Sequence, residues 1–183
     1  MSVHQVKFTV ENYYEMIKHE ILLENHREEI IDGLLYRMPP STPPHAALHS
    51  KLGCLFYRRD DEKSSRFFIN CPVTIDAYNE PIPDYCLLKI DKKEIAGRHP
   101  KAAEVDLVLE IADETIDFDR DIKVHLYAKA GIPEVWLINL NDEKIEIYSQ
   151  PNGKMYNSRN DFQRGKVIQS EVLRYLRADE ILL

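Results

Sequence analysis

A chain of 183 residues, 44% hydrophobic and 30% charged, has the make-up of a globular protein able to bury a sizeable core in one domain spanning 1–183. Its 24 basic and 31 acidic residues leave a formal net charge of −7, which argues against the overall basic footprint that nucleic-acid binding usually needs. No apolar run approaches the ~18 residues of a membrane span, and the start MSVHQVKFTVENYY lacks the basic-then-apolar order of a secretion signal, so a cytoplasmic protein without a membrane partner is expected.

Thr9 reads as the N-cap of a short helix reaching about Lys18, with Val10, Tyr13, Tyr14 and Ile17 as its apolar stripe. Glu29 to Tyr36 reads as two short strands around an Asp32-Gly33 hairpin turn. Pro39, Pro40, Pro43 and Pro44 make a loop, and helical spacing resumes at His45 with Ala47, Leu48, Leu52, Leu55 and Phe56 facing the core through about Arg59. A polar loop, DDEKSS, precedes strands near Arg66–Asn70 and Val73–Asp76, and the turn at Tyr78-Asn79-Glu80-Pro81 leads through Pro83-Asp84 to an apolar run, Tyr85–Ile90. Asp91–Lys101 is charged loop or short helix.

Val105–Ala112 is expected to be a largely buried strand, with Val105, Leu107, Leu109 and Ile111 on one face and Asp106, Val108, Glu110 and Ala112 on the other. A helix around Asp119–Ala130 follows, packing Ile122, Leu126 and Ala130 inward and ending at Gly131. Val135–Leu140 and Lys144–Ser149 pair around Asn141-Asp142, and the remainder reads as edge strands with a short terminal helix or tail. Strand, helix and strand at the centre, with hairpins around them, give an α/β core with a mixed sheet. Cys54, Cys71 and Cys86 show no CxxC spacing and are expected as reduced, mostly core thiols.

Asp84 and Glu110 lead the candidates for chemistry. Carboxylates on neighbouring strands can converge at one end of a sheet and hold Mg²⁺ or Mn²⁺ through oxygen ligands. Glu110 is the sharper, because a charge on the same face as Val108 and Ala112 is costly unless it is paired or metal-bound. Lys123 shares a helix face with Asp119 and Tyr127 and can reach back toward Glu110, although the spacing alone also fits a surface ion pair worth about 0.3–0.5 kcal/mol. Glu29 in the hairpin and His45 at a helix start are second-rank candidates, the imidazole being favoured neutral by the helix dipole and suited to ligating a metal or accepting a proton. His49 competes with His45. Basic surface at Arg58-Arg59, Lys89, Lys92, Lys93, Arg98 and Lys101 reads as solvated. No GxSxG, P-loop, GxGxxG, HExxH or zinc spacing occurs.

Glu-Ile-Ile-Asp-Gly (29–33), the proline loop with His45, Pro83-Asp84, VDLVLEI (105–111), Asp119-Arg-x-x-Lys123 and Lys123-x-x-x-Tyr127-x-x-x-Gly131-Ile-Pro-Glu-Val-Trp136 stand in one order. In that order the chain resembles the Uma2-like restriction-endonuclease family within the PD-(D/E)XK nuclease superfamily, over about residues 10–180. The resemblance implies a restriction-endonuclease-like fold, a mixed sheet flanked by helices with an N-terminal β-hairpin. It also implies a divalent-metal site and a homodimer. Asp84 and Glu110 match the metal-binding carboxylates, Lys123 a lysine displaced from the strand to the next helix, and Glu29 and His45 accessory polar positions. Ala112 stands where the superfamily motif has lysine, and Ala112-Asp113-Glu114-Thr115 replaces the family's Ser-Pro-Ser-Thr, one residue shorter, so that Asp113 and Glu114 either add ligands or repel a phosphate backbone. The expected activity is Mg²⁺- or Mn²⁺-dependent hydrolysis of DNA phosphodiester bonds; the alternative is a nuclease fold that binds or regulates without cleaving.

Overall fold

The computed structural model describes residues 5–22, 28–58, 66–89, 92–173 and 176–183; the DDEKSS loop (60–65) and Arg59 lie outside them. Helix α1 (Val10–Lys18) starts at Thr9, whose side chain accepts the Asn12 amide while the Asn12 side chain accepts the Thr9 amide. None of its residues is fully buried, so its expected apolar stripe only leans on the body. Strands β1 (Glu28–Ile31) and β2 (Leu34–Arg37) form the expected antiparallel hairpin, with Asp32 and Gly33 both at positive φ, 52° and 71°.

Helix α2 runs Pro43–Arg58, starting two residues earlier than expected because prolines are tolerated in a first helical turn. Leu48, Leu52 and Phe56 are its buried residues, while Ala47 is exposed. Strand β3 (Phe67–Ile69) follows, but Val73–Asp76 makes only isolated bridges, Thr74 to Lys101 and Asp76 to Asn79, and no strand. Strand β4 is Tyr85–Leu88, and 3₁₀ turns cover Lys92–Ile95 and Ala102–Glu104.

Strand β5 (Val105–Ala112) leads to α3 (Ile116–Phe118), a π-helical segment (Asp119–Lys123) and α4 (Val124–Lys129). Gly131 at φ 73° closes the helix, and the Ile132 amide reaches back to the Tyr127 carbonyl at 3.1 Å. Strands β6 (Glu134–Asn139), β7 (Lys144–Pro151) and β8 (Tyr156–Phe162) complete a sheet ordered β3-β4-β5-β6-β7-β8, parallel only between β5 and β6. A second small pair, β9 (Val167–Ile168) and β10 (Leu176–Arg177), precedes α5 (Ala178–Ile181).

Both sheet faces are covered. Leu107, Leu109, Ile111, Trp136 and Ile138 pack under α2 and α5, while Val108, Ala112, Val135 and Leu137 pack under Val124 and Tyr127. Val105 falls in the second group rather than the first, because the β4–β5 register shifts at Leu87/Leu88. The expected inward stripe Ile122, Leu126, Ala130 is displaced too: Ile122 is 39% exposed, and Asp119, Lys123, Val124, Tyr127 and Ala128 are buried instead. Hydropathy selects the former face, whereas ion pairs beneath the helix stabilise the latter. Of the cysteines only Cys86 is buried; Cys54 is exposed and Cys71 intermediate.

Gly33 fixes the hairpin that carries Glu29. A Cβ there would lie 2.5 Å from the Lys7 Cβ and 3.1 Å from the Phe8 carbonyl oxygen, at a positive φ. Gly33→Ala is expected to cost about 1–3 kcal/mol, read as a lowered midpoint in urea unfolding; an unchanged midpoint would show that this contact is not needed.

Candidate active site

The antiparallel pairing of β4 with β5 places Tyr85 opposite Leu109, so Asp84, one step before β4, stands beside Glu110 and Ile111. Its Oδ2 accepts the Ile111 amide at 2.8 Å and lies 3.5 Å from His45 Nε2, which the first turn of α2 brings across. Thr42 sets that turn, accepting the His45 amide at 3.4 Å and donating its hydroxyl to Asp113. Asp113 is thereby tied between the β5–α3 loop and α2, while Glu114 is exposed.

Glu110 is 3% exposed. Its Oε1 lies 2.7 Å from Lys123 Nζ and accepts the Tyr127 hydroxyl at 2.6 Å. Lys123, 2% exposed, also lies 3.2 Å from Glu29 Oε2 and 3.8 Å from Asp119 Oδ1. The Asp119–Lys123 pair is thus buried, not the surface pair that spacing allows. Asp119 accepts the Thr115 hydroxyl at 2.6 Å. The π-helical segment supplies both Asp119 and Lys123, and such insertions recur where a helix must present side chains out of the ordinary phase.

Charge and burial act against each other here. Burial pushes the Glu110 carboxyl up to about 8 against the pull of Lys123, with Asp119, Asp84 and Glu29 adding to the rise. Asp119 is raised for the same first reason. In Asp84 burial also works upward, but His45, the Ile111 amide and Lys123 outweigh it and its carboxyl is lowered. Burial works to lower Lys123, yet Glu110, Glu29 and Asp119 overcome it and hold the ammonium above its ordinary range. Tyr127 is held well above the phenol range by burial and then by Glu110.

These groups meet in a cleft open to solvent and edged by Met38, Pro39, Pro40 and Ser41. All five residues singled out from the sequence, Glu29, His45, Asp84, Glu110 and Lys123, line it. Asp119 lines it too, and Tyr127 buttresses it from below; their signals in the sequence were a helix face shared with Lys123 and a place in the same motif order. His49 does not line the cleft; its ring stacks behind His45 at 6.2 Å and lies against Tyr85 at 4.8 Å.

Among the described residues, no group of three or more His, Cys, Asp and Glu is arranged to hold a metal ion directly. The donor set still suits a hard divalent cation. Glu29, Asp84, Glu110 and Asp119 are all at most 4% exposed, and Lys123 is the one lysine within ion-pair reach of Glu29, Glu110 and Asp119 among the described residues. Asp84 and Glu110 bring oxygen donors from adjacent strands, and the remaining positions would fall to water from the cleft.

A family model described as "Putative restriction endonuclease", Uma2, matches residues 10–179. No curated protein matches the chain significantly. Among solved structures, a crystal structure of a putative nuclease belonging to DUF820 from Anabaena variabilis ATCC 29413 superposes with a TM-score of 0.70, covering 95% of this chain and 97% of that one at 16% identity. At that identity the likeness is one of fold: a mixed, helix-flanked sheet with an N-terminal hairpin. The family match spans nearly the whole chain, and the protein belongs to the Uma2 family of putative restriction endonucleases.

Proposed function

We propose that the protein is a divalent-cation-dependent endonuclease that hydrolyses DNA phosphodiester bonds, using Mg²⁺ or Mn²⁺. The observation that carries this reading is the surplus of buried carboxylates around Lys123 at the floor of an open cleft. Such a surplus disfavours folding unless a cation or a proton joins it. Family membership and the nuclease named in the similar structure support the reaction class.

Asp84 and Glu110 are the residues that would hold the cation. When bound, it would supply Lewis acidity and lower the pKa of water at the cleft floor. Lys123 stays an ammonium, so it cannot be the base; it orients a water or stabilises negative charge building on phosphorus. Tyr127 and Lys123 both engage Oε1 of Glu110, fixing the direction of that carboxylate. His45 stands beside Asp84 at the cleft, where its imidazole would steady that carboxylate and relay the proton of the attacking water. In the reaction the water oxygen bonds to phosphorus, the bond from phosphorus to the sugar oxygen breaks, and the leaving oxygen takes up a proton. Glu29 keeps Lys123 in place from the hairpin side.

A second reading, a nuclease fold that binds without cleaving, is favoured by the exposed acids Glu114 and Asp117 beside the cleft, which would repel a phosphate backbone. Calorimetry with Mn²⁺ and nicking of supercoiled DNA separate the two. Endonuclease action predicts cation binding and nicking in the native protein, and loss of both in Asp84→Asn. Binding of Mn²⁺ with no nicking and no DNA retention at low salt selects the second reading; nicking that survives in Asp84→Asn excludes the proposed site.

Removing the central cation should be felt in stability. Lys123→Ala leaves Glu110 and Glu29 buried together without their partner and is expected to cost about 3–5 kcal/mol in urea unfolding; a loss under 1 kcal/mol would place Lys123 outside the cluster's balance.

The pH dependence has a definite sign. Glu110, raised to about 8 in the folded protein from an ordinary 4.5, binds a proton in the native state across that interval while the unfolded chain has released it. Stability of the cation-free protein therefore declines as pH rises from about 4.5 to about 8, and Asp119 adds in the same direction. Glu110→Gln should flatten the slope of melting temperature against pH in that window, and divalent cation should restore stability most at the alkaline end. An equal slope in Glu110→Gln would assign the dependence to other groups.

A further inference from the structure

Glu146 is fully buried on β7, away from the cleft, and four side chains converge on it. Arg120 grips it through two bonds, Nη2 to Oε1 at 2.7 Å and Nε to Oε2 at 3.2 Å. The Tyr148 hydroxyl donates to Oε2 at 2.6 Å, Arg159 Nη2 lies 3.2 Å from the same oxygen, and Lys144 Nζ lies 3.4 Å from Oε1. The cluster lines no part of the cleft, so it does not belong to the site described above.

Its geometry connects it to that site. Glu110 pairs with Leu137 and Leu137 with Glu146, so the two glutamates stand in one row on one face of the sheet, with β6 between them. Two strand spacings put them roughly 10 Å apart. Arg120 belongs to the π-helical segment that also carries Asp119 and Lys123. That segment therefore touches the sheet at two points: Lys123 on Glu110 of β5, and Arg120 on Glu146 of β7. Without Arg120 the polar hold on the sheet would come from β5 alone, where Lys123 and Tyr127 both meet Glu110. A lysine is a poor anchor for orientation, since its ammonium sits on a flexible four-carbon stem, whereas a two-bonded guanidinium fixes direction. Asp117, the other acid near Arg120, is 3.5 Å away and 90% exposed, on the same helix, and gives no hold on the sheet.

We propose that Glu146 and Arg120 are positioning residues. Their two-bonded pair sets the rotation of the π-helical segment and so delivers Lys123 and Asp119 to Glu110. Its relevance to cation binding rests on the proposed function; its effect on the segment does not.

The test measures hydrogen exchange of the 119–123 amides in cation-free protein, together with Mn²⁺ affinity by calorimetry. Glu146→Gln and Arg120→Lys should each speed exchange across 119–123 and weaken Mn²⁺ binding by about tenfold, the scale seen when support of metal-binding residues is lost. Arg159→Gln removes a different partner of the same carboxylate and should leave both readouts at native values. Should Glu146→Gln fail to fold, Arg120→Lys, at a half-buried position, decides alone. Native exchange rates in Arg120→Lys, or equal changes in Arg159→Gln, overturn the proposal. If the native protein binds no Mn²⁺, the functional reading fails, while the exchange comparison still decides whether this pair positions the segment.

Discussion

The ammonium of Lys123 is the constraint on which the arrangement depends. It is buried among Glu110, Glu29 and Asp119, which come from β5, the hairpin and its own helix. A buried lysine without partners would lose its proton, and buried glutamates without a cation would gain one. Each side thus fixes the ionisation of the other, and three separate pieces of chain are drawn to one point. The hairpin lies outside the six-stranded sheet, and its contact with Lys123 adds a buried attachment to the Ile30–Glu80 bridge and the bonds its turn makes to Tyr78 and Asn79.

The helix after β5 shows what ion pairing can do to a hydrophobic pattern. Ile122, Leu126 and Ala130 lie four apart and make the more apolar stripe, yet Asp119, Lys123 and Tyr127 face inward. Turning the helix to bury the apolar stripe would strand Glu110 on β5 without Lys123 or Tyr127. The cost of an unpaired buried carboxylate, several kcal/mol, exceeds what partial burial of one isoleucine returns. The π-helical turn is where that choice is expressed in the backbone.

Much of the frame was readable from residues alone, because it rests on local rules. Thr9 caps its helix, Asp32-Gly33 makes its turn, and VDLVLEIA is buried on both faces as a continuous apolar strand must be. Five residues far apart in sequence were singled out, three of them on motif order more than on chemistry, and they line one cleft. Failures came where tertiary partners override local pattern. Val73–Asp76 alternates like a strand but finds only single bridges, and the register shift at Leu87/Leu88 moves Val105 to the other face. Glu146 is a similar case: Lys144-Ile-Glu-Ile-Tyr148 reads as a strand, but nothing local names the cations that meet its polar residues. Arg120 and Arg159, from other elements, close over them.

The two buried acidic centres have opposite balances, and that contrast supports placing the proposed chemistry at one of them. Around Glu146 three cations meet one buried carboxylate, with Asp161 and Asp142 at the rim, and Glu146 is lowered to about 2, Arg120 being the first partner to outweigh burial. Such a centre is already satisfied and has no use for another cation. Around Lys123 the carboxylates outnumber the lysine, and burial keeps Glu110 and Asp119 reluctant to ionise. A fold selected for stability alone would have no reason to bury Glu29, Glu110 and Asp119 around one lysine when apolar residues of similar size would serve better. Local conflict of that kind is what a functional site leaves behind in an otherwise consistent structure. The satisfied centre holds the helix, and the unsatisfied one, opening on the cleft, is the place where the proposed cation would complete the charge.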